Sequence, residues 1–159
     1  NRARFKENII IKTPNTISLE DDLIKLCFSK NKSIRQEIYN NLNVDWLIDS
    51  QIKRIFNQIY IHLNSKFEPD SNIILDQLKM KEDHQKLAGL VYEIEKISPT
   101  LEMVKDSIKR LEHIWLKKKL NELRDELKNS ENNFQDTTKL INKISDIQSQ
   151  MNSLKGISR

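Results

Sequence analysis

The sequence predicts an all-α protein: a small helical bundle, then a long connecting helix, then a C-terminal antiparallel helical hairpin. Three observations lead there. Apolar residues recur at three- and four-residue steps along most of the chain. Gly and Pro, which punctuate sheet-rich folds, number two and three in 159 residues. Charged residues make up 31% of the chain against 37% hydrophobic ones, a balance that suits continuous amphipathic helices.

Residues 1–17 are polar and basic, with one short apolar run, Ile9-Ile10-Ile11, before Pro14. They read as a linker remnant. Ser18 followed by Asp21 resembles a capping box, and Leu19, Leu23, Leu26 and Cys27 then line one face of a helix over about 19–29. Ser33 can cap a second, short helix in which Ile34, Ile38 and Leu42 repeat at four-residue steps. Val44-Asp45-Trp46-Leu47-Ile48 reads as a buried corner. Asp49 or Ser50 then caps the most periodic segment, with Ile52, Ile55, Phe56, Ile59, Tyr60 and Leu63 on one face, and this helix is the expected spine of the core.

Pro69 disfavours helical geometry at Glu68, so the chain breaks there, and Asp70 or Ser71 can cap a brief apolar turn containing Ile73, Ile74, Leu75 and Leu78. From about Glu82, Leu87, Leu90, Val91, Ile94 and Ile97 return to helical spacing and stop at Ser98-Pro99. Ser as cap with Pro in the first turn predicts a new helix there, and nothing interrupts it before Asn129-Ser130-Glu131-Asn132-Asn133. At 1.5 Å per residue these thirty or so residues would span about 45 Å, against about 34 Å for a body of roughly 110 residues. The long helix is therefore expected to protrude. The predicted division is 18–113 for the bundle and 114–159 for the hairpin.

The hairpin rests on two matching stripes. Leu116, Leu120, Leu123 and Leu127 precede the Asn-rich turn; Leu140, Ile144, Ile147, Met151 and Leu154 follow it at the same alternating steps. Two helices sharing one narrow seam bury little surface and are marginal in water. Phe134, Ile141 and Ile157 also lie off the seam or beyond its last repeat, so this arm is expected to dock on another protein.

Signals for chemistry are absent from the sequence. It contains no P-loop, dinucleotide-binding turn, GxSxG, HExxH or CxxC pattern, and two glycines do not make a phosphate cradle. No catalytic residue, cofactor or metal ligand is assigned within these residues, and His62, His84 and His113 lack a paired ligand at helical spacing. Lys117, Lys118 and Lys119 beside Trp115 offer weak contact to nucleic-acid phosphates, but Glu122, Asp125 and Glu126 are within pairing reach. Trp46 and Trp115 read as core anchors. The net charge of +4 arises from 27 basic and 23 acidic residues mixed along the chain, supporting no more than weak attraction to polyanions. A single cysteine and the lack of a run near the roughly 20 residues of a membrane span predict a cytoplasmic protein without membrane contact. The start Asn1-Arg2-Ala3-Arg4-Phe5, with neither initiator Met nor signal sequence, reads as a piece of a longer protein.

The order of LEDDLIKLCFSK, DSQIKRIFNQIYIHL, SPTLEMVKDSIKRLEHIWLKKKLNELRDELK and NNFQDTTKLINKISDIQSQMNSLK resembles the carboxy-terminal helicase-binding domain of bacterial DNA primases, over about residues 19–157. The resemblance implies a bundle that modulates the hexameric replicative helicase and a hairpin that docks on the helicase's amino-terminal domains. It implies zinc-binding and polymerase domains upstream, which would carry the zinc and magnesium of the parent primase. Loosely carried over, it places the helicase-facing surface among Phe134, Thr137, Ile141, Ile144, Gln148, Met151 and Leu154, with Ile144, Met151 and Leu154 shared with the seam. The helicase's own amino-terminal domain is similar in fold, and a helical nucleic-acid-binding module is the other reading. Gly156 to Arg159 read as a chain end, which favours the primase. The expected state is a monomer or a hairpin-swapped dimer.

Overall fold

The computed structural model describes residues 14–94, 99–132 and 136–157. Among these it contains seven α-helices, one 3-10 turn and no strand: α1 (Pro14–Leu26), α2 (Lys32–Asn41), the 3-10 turn (Val44–Trp46), α3 (Ser50–Leu63), α4 (Ser71–Gln77), α5 (Lys81–Tyr92), α6 (Leu101–Asn132) and α7 (Thr138–Ile157). Ile9-Ile10-Ile11, Ile97, Ser98 and Phe134 fall outside the described residues, as does the side chain of Ile157. The chain divides into two compact units, Asn1–Ile108 and Lys109–Arg159, a division that falls inside α6, as the expected one after His113 does too.

Helix starts depart from expectation in instructive ways. α1 begins at Pro14, which places Ser18 and Asp21 inside the helix and rules out the capping box. Proline fixes φ near the helical value and has no N–H to leave unsatisfied, so it can open a helix by itself. Asp21 instead accepts from Lys86 Nζ at 3.1 Å, joining α1 to α5. α2 is capped by Asn31, whose Oδ1 accepts from Ser33 N at 2.9 Å, and not by Ser33. α6 opens with Thr100 Oγ1 accepting from Met103 N at 3.2 Å, and Pro99 precedes the helix rather than sitting in its first turn. Asp49 and Asp70 do cap α3 and α4, each accepting from a backbone N–H two residues on. At its far end α6 continues through Asn132, so most of the Asn-rich stretch is helical.

The first unit is organised by α3. It packs against α1, α2, the 3-10 turn, α4 and α5. Its Ile52, Ile55, Phe56, Ile59 and Leu63 are enclosed, among Leu23, Ile24 and Cys27 of the α1 segment, Ile34 and Ile38 of α2, Ile74 of α4 and Leu87 of α5. Each such side chain removed from water is worth about 1.5–3 kcal/mol. Of the expected buried corner only Leu47 is enclosed, while Val44, Trp46 and Ile48 are partly exposed. Burial pushes the Cys27 thiol well above its ordinary range, and its Sγ donates to Leu23 O at 3.3 Å.

Three charged side chains are buried in this unit, and each bridges elements. Glu20 of α1 accepts from Ile48 N at 2.7 Å and from Asp49 N at 3.3 Å, so a side chain of one helix caps the entry to another. Arg35 donates to Ser29 O at 2.7 Å and to Lys66 O at 3.2 Å, clamping two loops that are distant in sequence. Asp83 of α5 accepts from Nε and Nη2 of Arg54 of α3, both at 2.8 Å. That two-pronged pairing is the strongest geometry available to a carboxylate and guanidinium.

Two outcomes follow. Glu20→Ala strips two part-buried amides of their acceptor and should lower unfolding free energy by about 1–2 kcal/mol, read by urea denaturation. The Arg54 hydrogen bonds hold the Asp83 carboxyl below its ordinary range, with Gln51 assisting and burial opposing. A carboxyl depressed in the folded state contributes stability that is complete above the unfolded value of about 4 and is lost as pH falls through the lower folded value. Asp83→Asn should therefore flatten the acid limb of a stability-against-pH curve while lowering its neutral plateau.

Candidate docking surface

Residues of the second unit lie on α6 beyond Ile108 and on α7. Along α6 the buried stripe changes face. Val104, Ile108 and Leu111 continue a four-and-three pattern that predicts Trp115 next, yet Leu116 is 1% exposed while Trp115 is partly exposed. One residue is about 100° around a helix, so the stripe through Leu116, Leu120, Leu123 and Leu127 is turned by roughly that angle from the one before. Enclosure then declines: Leu120 is 6% exposed, and Leu123 and Leu127 are only partly buried.

α7 opens where Asp136 Oδ1 accepts from Thr138 N at 3.0 Å and from Thr138 Oγ1 at 2.8 Å, contacts that hold its carboxyl below the ordinary range. Leu140, Ile144, Ile147, Met151 and Leu154 are all partly buried, none fully. They form one stripe, as their spacing predicts. Beside it Ile141 is 51% exposed, and Gln148, two helical turns further on along the same line, is exposed too.

Six of the seven expected surface residues thus separate, Phe134 lying outside the described residues. Ile141 and Gln148 lie on an open flank; Ile144, Met151 and Leu154 belong to the partly covered stripe; Thr137 is partly buried at the helix entry. The structure brings Ile141 and Gln148 onto the line adjacent to Ile144 and Met151, so one polar residue borders a mainly apolar strip. Chemically the strip can bury area against a partner; it holds no cluster of titratable groups. Among the described residues no group of three or more His, Cys, Asp or Glu is placed to hold a metal ion, and no helix is long and apolar enough to cross a membrane.

The basic run is differently placed. Lys119 Nζ lies 5.7 Å from the centre of the Trp115 ring and 3.6 Å from Glu122 Oε1, so its charge is shared within the helix. Lys117 and Lys118 are exposed and form no ion pair among the described residues.

What the sequence reading missed lies in the first unit. Trp46, expected as a core anchor, is partly exposed and lines a groove with Tyr39, Tyr60 and four asparagines. The signal available was the density of Asn around Tyr39 and Trp46, which a core segment would not contain.

Enclosure separates structural from surface positions and can be tested. Leu116→Ala should cost about 2–4 kcal/mol, whereas Ile141→Asp should change stability by less than about 0.5 kcal/mol, both read from thermal and urea unfolding. Comparison with known proteins adds no identification: no protein-family model, curated protein or solved structure matches the chain.

Proposed function

We propose that the chain is a non-enzymatic docking module of the kind that ends bacterial DNA primases, attaching primer synthesis to the hexameric replicative helicase through α7. The observation that carries this reading is the incompletely covered strip on α7, where Ile141 is half exposed beside a stripe with no fully buried member. A helix that closed its own core would enclose that stripe, as α3 does. Apolar area left in water at a helix flank favours association with a second apolar surface.

The order of parts supports the same reading, since an all-α bundle, a long helix and a further amphipathic helix follow one another as they do in the resembled family. Binding energy would come from a few well-covered apolar side chains, each worth about 2 kcal/mol or more when truncated, with the exposed lysines and acids around them setting the association rate.

Ile141→Asp and Met151→Asp should each abolish capture by a hexameric bacterial replicative helicase in gel filtration while leaving the helical circular dichroism of the bundle unchanged. Parent-like co-elution of both variants would refute the docking reading. Assembly of the fragment alone into rings in analytical ultracentrifugation would assign it instead to the helicase's amino-terminal domain.

A further inference from the structure

The first unit carries a formed groove that docking through α7 does not use. α2, the 3-10 turn and α3 line an open groove of about 500 Å³, a size usual for ligand sites. Its wall is aromatic: Tyr39 and Tyr60 stack with ring centres 4.7 Å apart and planes 18° from parallel, and Phe56 meets Tyr60 at 5.8 Å and 54°. Trp46 lines the same cavity.

Its polar side chains are four carboxamides, of Asn40, Asn41, Asn43 and Asn57, together with the two tyrosine hydroxyls and the Trp46 indole N–H. Asn41 Nδ2 donates to Glu37 Oε2 at 2.7 Å, which leaves its Oδ1 to accept. Asn43 Oδ1 accepts from Asp45 N at 2.9 Å, which leaves its amide hydrogens to donate. The side chains of Asn40 and Asn57 make no hydrogen bond among the described residues and keep both roles. No Lys, Arg, Asp or Glu is among the lining residues. Asn57 also borders a second open groove of about 340 Å³, which Lys79 and the paired Arg54 and Asp83 line as well.

We propose that this groove binds one unstacked nucleobase of a single-stranded nucleic acid, its ring against the aromatic wall and its edge on the asparagine carboxamides. The sugar–phosphate leaves past Asn57 toward Lys79. A nucleobase is flat, uncharged and edged with alternating donors and acceptors, and carboxamides pair with such edges. An anionic peptide side chain would find no counter-charge among the lining residues, and an aliphatic one would leave the carboxamides without a partner. Phosphate belongs outside, where Lys79 supplies charge while Arg54 is occupied by Asp83. The inference is independent of the docking reading, since it concerns other residues and another ligand.

The test uses Trp115→Phe protein, in which Trp46 is the remaining tryptophan. A short mixed-sequence single-stranded DNA should quench Trp46 fluorescence at low salt. Free nucleosides at high concentration should compete, showing that the base itself is held; no competition would mean that only the phosphate backbone binds and would overturn the assignment. Asn57→Leu and Asn40→Leu, at exposed positions, should weaken binding about fivefold or more. A Lys117→Ala, Lys118→Ala variant should bind as the parent does. No quenching by the strand, an unchanged affinity in both asparagine variants, or loss on changing the lysines would each overturn the proposal. Quenching by a neutral peptide but not by DNA would also overturn it and make the groove a peptide site.

Discussion

Enclosure of one apolar face of α3 is the constraint on which the first unit depends. Five α3 side chains, from Ile52 to Leu63, are nearly inaccessible to water, and α1, α2, α4 and α5, which pack against it, each carry further enclosed apolar residues. A 14-residue helix is marginal in isolation, so its persistence follows from this packing rather than from intrinsic propensity. The surrounding helices are short, and the 3-10 turn shorter still, which is tolerable because each needs only to present a few apolar residues to the spine.

Apolar burial does not by itself choose one arrangement of short helices, and the buried polar side chains add that specificity. Glu20 binds amides at the entry of α3, Arg35 binds carbonyls of two loops, and Asp83 binds Arg54 across the α3–α5 contact. Shifting any of these helices by one turn would leave a charge or an amide unpaired in a dry environment, a cost larger than the net gain of the intact bond. Arg35 Nε makes no hydrogen bond among the described residues.

The two unabsorbed surfaces differ in kind. On α7 the apolar strip is open and partly covered, a surface whose energy depends on what is laid against it. In the bundle, the groove bounded by Tyr39, Trp46 and Tyr60 is shaped before any ligand arrives, its ring stack already made and its aromatic wall packed on the Phe56 of the core. Burial, together with the neighbouring Tyr39, raises the Tyr60 hydroxyl above its ordinary range.

Helical class, the spine role of 50–63 and the run of α6 and α7 were legible because the 3.6-residue period acts locally and repeats along the chain. Caps were legible where a lone Asp stood at the right place, as at Asp49 and Asp70. They were misread where Asn31 and Ser33 compete two residues apart, since the path of the preceding loop decides which oxygen reaches the free amide. Of the candidate docking residues, the sequence determined that Ile144, Met151 and Leu154 share a stripe and that Ile141 and Gln148 lie off it. Tertiary structure alone decided how much of each is covered, that Leu116 rather than Trp115 is enclosed, that Glu20, Arg35 and Asp83 are buried, and that Trp46 lines a groove. Those properties depend on atoms from segments far apart in sequence, and no local period encodes where such segments meet.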